Sequence, residues 1–265
     1  MSTMTPTNFS FSRTANLTRW NTVLLGRNRL ALVYAVVLPL SPILMLLAAD
    51  RGDETIGATS VSAVVLLAAL FPVFYNVLSQ FVSRRDELVL KRMRTGEVRD
   101  LELLVGIAMP GIMSAVAISA IAVPLALAMG QPMPLNLVLY VGTLLIVVVA
   151  FTAFAYWTAA WTRSAEAAQL TSLPVLLLAM IGPALGGIPG LSDTVREIVA
   201  LTPGAAMSEL VRIAWYGFDG MQATDATLTF SETWGAAVSP AIVLAAWTVI
   251  AVDLARRSLR WEPRH

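Results

Sequence analysis

Six stretches of this chain, residues 30–49, 58–82, 103–129, 135–161, 167–188 and 235–252, contain no Asp, Glu, Lys, Arg or His. A bilayer core about 30 Å thick is crossed by roughly 20 apolar residues in helical form, and every stretch is near or above that length. Together they hold 139 of the 265 residues. The runs are continuously apolar rather than alternating, which excludes a transmembrane strand barrel. Only 13% of the residues are charged, about half the usual supply of a soluble domain, so a water-soluble globule cannot cover itself. Pro39, Pro42, Pro72, Pro110, Pro124, Pro174 and Pro183 lie inside the runs. Membrane helices tolerate such prolines, and they mark kinks or unwound turns.

Six spans place both termini on one side, and Lys and Arg decide which. The N-terminus, the 83–102 loop, the 162–166 loop and the C-terminus carry 15 basic residues, against 3 in the segments on the other side. Both termini are therefore expected in the cytoplasm. The outer segments hold nine acidic residues and are net negative. Trp157, Trp161 and Trp234 sit at span ends, where an aromatic belt forms. The expected architecture is all-α: one membrane domain over 1–265, with 1–29 as a cytoplasmic, interfacial N-terminal helix and 253–265 as a cytoplasmic tail.

Much chemistry is excluded by residue type. There is no cysteine and the single histidine is His265, which removes thiolate and His-based metal sites and Ser-His-Asp triads. No GxxxxGK[ST] loop occurs, so the chain does not hydrolyse ATP itself. No metal, cofactor or catalytic constellation is expected on it, and no nucleic-acid partner. Ion-coupled carriers need titratable groups at membrane depth, and the spans have none.

Two loops exceed a simple connection. The inner loop 83–103 places Glu87 and Lys91 at i, i+4 in the favourable order, with Leu88, Leu90 and Met93 as an apolar component. This predicts a helix from about Arg84 to Thr95 along the membrane face. The outer segment 189–220 reads as two short helices broken at Pro203–Gly204, the second amphipathic over about Ala205 to Tyr216 and packed on or dipping into the outer interface. Near the N-terminus, Phe9, Phe11, Leu17, Trp20 and Leu24 among arginines and hydroxyls predict an interfacial helix leading into the first span.

These segments carry a resemblance that covers nearly the whole chain. The interfacial helix, the first span with Leu38-Pro39-Leu40, the second span ending at Phe81-Val82 and then Arg84-Arg85-Asp86-Glu87-Leu88-Val89-Leu90-Lys91-Arg92-Met93-Arg94-Thr95-Gly96 together resemble the permease subunits of ABC-2 type exporters, bacterial relatives of ABCG transporters. Arg163 to Gln169, Leu201-Thr202-Pro203-Gly204 and Leu210-Val211-Arg212 are similar to that family's inner loop before span five and its external segment before span six. Met93 replaces a usual Leu, and Gly96-Glu97 stands where a proline is frequent.

The resemblance implies a six-span permease in a bacterial cell membrane, paired with a second copy as a homodimer and with ATP-binding cassette subunits that hold ATP and Mg. The substrate would be a small amphipathic or hydrophobic compound, such as a drug, antibiotic or lipid-like molecule, moved outward in the manner of multidrug efflux and antibiotic-resistance pumps. The inner helix would be the coupling helix, with Arg84, Asp86, Glu87, Lys91, Arg92 and Arg94 as charged contacts to the ATPase and Leu88 and Met93 as its apolar knob. The substrate path would run along spans two and five, through Phe71, Tyr75, Asn76 and Gln80 and through Thr171, Ser172 and Met180. A secondary carrier of another fold and a non-transporting membrane anchor or immunity protein are the competing readings.

Overall fold

The computed structural model describes residues 10–27, 33–94, 99–188, 190–221, 227–259 and 261, without the side chains of Leu25, Lys91 and Arg94. The start of the first expected span (30–32), the turn at Gly96-Glu97 and the tail beyond Trp261 lie outside the described residues. Helix α1 spans Phe11–Arg27, α2 Val33–Leu47, α3 Glu54–Asp86 and α4 Val89–Arg94. Then follow α5 Asp100–Ala128, α6 Leu137–Trp161, α7 Ala168–Gly186, α8 Asp193–Ala200 and α9 Pro203–Tyr216. The last two are α10, Phe230–Ala236, and α11, Val238–Ser258.

Five of these, α3, α5, α6, α7 and α11, are long and apolar enough to cross a membrane; α8 and α9, meeting at 88°, would make a sixth if counted as one bent span. The fold is all-helical and of the multi-pass membrane kind. The first expected span, over 30–49, is the shorter α2, built from a π turn at Val33–Val37 and a 3-10 stretch at Ser41–Leu47. Pro39 and Pro42 lie within it, and each removes a backbone donor that regular α-helix would need.

α3 is central and buried on nearly every face, whereas α7 and α11 leave most of their surface outward. It packs against α2, α5, α6 and α9. Lipid tails are as apolar as the side chains, so close backbone approach rather than hydrophobic transfer holds membrane helices together. The small residues sit accordingly. Gly111 of α5 lies against the Pro72 carbonyl of α3, and Gly204 of α9 against the Ala179 carbonyl of α7, both closer than any side chain allows.

The second outer helix departs from the amphipathic interface helix expected of it. α9 is buried on nearly all faces, Ser208 and Arg212 included, among α3, α6, α7 and α11. Its elbow with α8 lies partway down α11, where the Trp247 indole N–H donates to the Leu201 carbonyl at 2.7 Å. About nine residues of α11 precede Trp247, which places the elbow roughly 13 Å along that helix. The other end of α9 docks on the short 130–136 loop. Leu135 N and Asn136 N donate to the Trp215 and Ala214 carbonyls, Trp215 Nε1 donates to Pro132 O at 3.0 Å, and Tyr216 donates to Gln131 Oε1 at 3.1 Å. Buried in this way, the helix closes one end of the bundle. We call that end acidic, because Asp50, Asp53, Asp193 and Asp219 lie there, and the opposite end basic.

At the basic end α1 is strapped to the bundle. The fully buried Glu102 carboxylate, in the first turn of α5, accepts from Arg13 Nε at 3.0 Å and Nη2 at 2.9 Å, from Ser10 N at 2.6 Å and from Arg99 N at 3.2 Å. A two-pronged guanidinium–carboxylate pair sets orientation as well as attraction. Asn21 Nδ2 adds a bond to the Gly106 carbonyl at 2.6 Å, so α1 runs beside α5 instead of simply leading into the first span. Trp261 folds back on the same end, its ring 5.7 Å from that of Phe81.

The helix expected over Arg84–Thr95 is divided. α3 continues through Asp86, so Arg84 and Arg85 belong to the second spanning helix, and only Val89–Arg94 forms the separate α4. The break falls at Glu87–Leu88, where Leu88 takes φ 59°, the left-handed region. Any residue with a Cβ meets steric cost there; the α4 that follows has its Leu90 fully buried.

Candidate functional site: a cavity along the second span

A cavity of about 870 Å³ opens between α1, α2, α3 and α7. Its apolar part is made by Leu70, Phe71 and Tyr75 of α3, Leu176 of α7 and Leu24 and Tyr34 from the first two helices. The polar part is Asn76, Ser79, Gln80 and Arg84 of α3, with Asn21 and, from α7, Gln169 and Ser172.

A local irregularity of α3 brings the two parts onto one face. Residues Ala69–Tyr75 form a π turn around Pro72, in which the Asn76 N–H donates to the Phe71 carbonyl five residues back. This i→i+5 bonding brings residues five apart to nearly the same face, so Phe71 and Asn76 both line the cavity. Single π turns of this kind recur at functional sites. Below it, regular helix resumes, and Asn76, Gln80 and Arg84 follow at i, i+4 and i+8.

Those three side chains form a ladder. Arg84 Nη2 donates to Gln80 Oε1 at 3.2 Å, and Gln80 Nε2 donates to Asn76 Oδ1 at 2.8 Å. The same Nη2 donates to Asn21 Oδ1 of α1 at 2.6 Å. Asn76 Nδ2, at the apolar end of the ladder, is buried with no hydrogen-bond partner. A buried amide donor left without a partner is costly, and the residue that carries it is among those lining the cavity.

The neighbouring arginine has a different task. Arg85 is fully buried; its Nη1 donates to the Ala159 carbonyl at 2.8 Å and its Nη2 to the Thr162 carbonyl at 2.6 Å. Those are acceptors in the last turn of α6 and at its cap residue, where no helical N–H follows to bond them. Its Nε lies 3.6 Å from Asp86 Oδ1. Arg85 therefore caps one spanning helix from another.

The expected coupling residues thus divide by placement. Arg84 faces the cavity, turned inward like its neighbour Arg85, which was not among the expected contacts. Asp86, Glu87, Leu88 and Arg92 are exposed at the basic end, and Met93 is half-buried. Lys91 and Arg94 lie on α4, and their side chains are outside the described residues. Of the expected path residues, Phe71, Tyr75, Asn76, Gln80 and Ser172 line the cavity. Thr171 instead bonds Thr162 Oγ1 at 2.8 Å and the Ala167 carbonyl, and Met180 faces outward, half exposed. Sequence reasoning missed Arg84 as a lining residue although its i+8 spacing from Asn76 was readable. It missed Asn21 because that contact spans 63 residues. No protein-family model matches the chain, and no curated protein matches it.

Proposed function

We propose that this chain is the membrane-spanning permease subunit of an ATP-driven exporter of the ABC-2 type. It moves an amphipathic or hydrophobic compound out of a bacterial cell, with both termini and the basic end in the cytoplasm. ATP is bound and hydrolysed by a separate cassette subunit, and a second permease copy completes the transporter. One observation carries this reading: a single helix, α3, lines the cavity and ends in an exposed charged turn and a short basic helix. A push on that surface reaches the cavity through one continuous element, a rigid route of the kind that carries coupling between distant sites.

In this mechanism the ATPase seats on Asp86, Glu87, Leu88 and Arg92. Closure of two such subunits moves α4, and α3 with it, while the Arg84–Asn21 bond carries α1 along. Movement of α3 against α7 changes the width of the cavity between them. The π turn around Pro72, having fewer regular backbone bonds, is where α3 can bend.

The test is to tag the chain in its own host, extract it in mild detergent and identify what co-purifies in near-stoichiometric amount. A P-loop subunit is expected, and the double change Glu87→Ala with Arg92→Ala is expected to release it while leaving membrane insertion intact. A chain that purifies without any ATPase in several mild detergents overturns the proposal. A response to an imposed proton gradient would then favour a secondary carrier, and no response a membrane anchor.

A further inference from the structure

The charge at the cavity sits on one residue of its described lining. Among its described lining residues Arg84 is the only Lys, Arg, Asp or Glu. Both acceptors that Arg84 touches, Asn21 Oδ1 and Gln80 Oε1, are neutral amide oxygens, and both bonds leave from Nη2. A guanidinium has five N–H donors, so the two on Nη1 and the one on Nε remain. Glu87, on the turn that follows, attracts the guanidinium through space without forming an ion pair with it. Two other arginines at this end are committed differently: Arg13 to Glu102 in a two-pronged pair, and Arg85 to the Ala159, Thr162 and Arg163 carbonyls and to Asp86.

Position adds to charge. Arg84 lies at the basic end, and Leu70 and Phe71, 14 and 13 residues earlier on α3, close the other end of the lining. At 1.5 Å per residue they are about 20 Å away. Between them the surface grades from guanidinium through the amides of Gln80 and Asn76 to aromatic and aliphatic side chains. A partly buried cation in a largely apolar wall favours an opposite charge far more strongly than one in water does.

We propose that the cavity binds an anionic amphiphile: one carboxylate, phosphate or sulfate head on the free N–H groups of Arg84, with an apolar body of up to about 20 Å along Asn76, Tyr75 and Phe71 toward Leu176. As the substrate class of the export path this rests on the proposed function; as a binding site it needs neither ATP nor a partner. Such a molecule has two sources, an anionic phospholipid of the surrounding leaflet or a free anionic amphiphile.

Native mass spectrometry of the full chain in nonionic detergent, without nucleotide, separates these cases. The probes are dioctanoyl phosphatidylglycerol, dodecanoate and dodecyltrimethylammonium. One anion per chain is expected, held at least tenfold better than the cation, lost in Arg84→Gln and kept within a few-fold in Arg84→Lys. Binding of phosphatidylglycerol alone would identify a lipid site, and displacement of it by dodecanoate a site open to free amphiphiles. Equal retention of anion and cation by the unaltered protein overturns the proposal, and this comparison holds even if Arg84→Gln does not fold. Undiminished anion binding by a folded Arg84→Gln chain overturns it as well. Because no ATPase takes part, failure here leaves the export reading standing, and loss of the ATPase partner leaves this site standing.

Discussion

Replacing Arg85 by Met tests the most consequential packing decision in the molecule. The side chain is fully buried and delivers two short charged hydrogen bonds, 2.8 Å and 2.6 Å, to the Ala159 and Thr162 carbonyls. Hydrogen bonds from a charged group contribute roughly 1.5–3 kcal/mol each, so the two together amount to about 3–6 kcal/mol. The loss is not offset by relief of burying the cation. Met leaves the two carbonyls without their donors in a low-dielectric site, and each such acceptor costs about 1–3 kcal/mol. It also leaves Asp86 without its close cation. The expected destabilisation is about 3–5 kcal/mol, the range for breaking a buried charged interaction. Arg85→Lys, with a single ammonium to reach two carbonyls, should lose roughly half of that. Arg84→Gln is the internal control: it removes the same charge one residue away, but its bonds are to two neutral amide groups near open volume, and about 1 kcal/mol is expected. Thermal unfolding followed by tryptophan fluorescence in one detergent ranks the variants. The expected order of midpoints is unaltered, then Arg84→Gln, then Arg85→Lys, then Arg85→Met. Faster proteolysis after Arg163 should accompany the Arg85 changes. Equal midpoints for Arg84→Gln and Arg85→Met would refute the assignment of Arg85 as the cap of α6.

Other expectations follow from single residues. Gly204→Ala puts a methyl group against the Ala179 carbonyl, and overpacking of this kind costs about 1–3 kcal/mol. Gly142→Ala, where nothing lies within 4 Å, should stabilise the α6 interior by about 0.5–1 kcal/mol; the same unfolding assay reads both, and equal effects would contradict the close α7–α9 contact. Leu88→Gly removes the steric cost of φ 59° and should be about 1 kcal/mol more stable than Leu88→Ala, which keeps it. Glu232 accepts from the Thr229 backbone N–H and then its hydroxyl, and these bonds hold its carboxyl below the usual carboxylate range. A depressed acid contributes stability above its unfolded value, near 4.3 for Glu, and that contribution is lost as pH falls through the folded one. Hydrogen exchange at the α10 start should therefore match that of Glu232→Ala at acid pH and be slower than it at neutral pH.

Parts of the candidate site were legible because they follow from helix periodicity alone. Asn76 and Gln80 are one turn apart in any helix, and Phe71 and Tyr75 lie on an apolar run that had to be membrane helix. What periodicity did not contain was the π turn around Pro72, which shifts the face above Asn76 relative to the face below it. Thr171 and Ser172 show the same limit on α7: one faces the cavity, and the other bonds the end of α6.

Five of the six expected spans, found as α3, α5, α6, α7 and α11, were determined by the sequence. The free energy of placing a segment in lipid is close to a sum over its own residues, and every backbone group in it must be bonded within the segment. Neither condition refers to the rest of the chain. The fate of the arginines was decided only by tertiary structure. Arg84 and Arg85 are chemically identical and adjacent, and successive residues on a helix point about 100° apart. One therefore meets α1 and the cavity, and its neighbour meets the carbonyls that end α6. The burial of α9 has the same origin. Its own residues read as an interfacial helix, and the space among α3, α6, α7 and α11 that encloses it exists only once those four have packed.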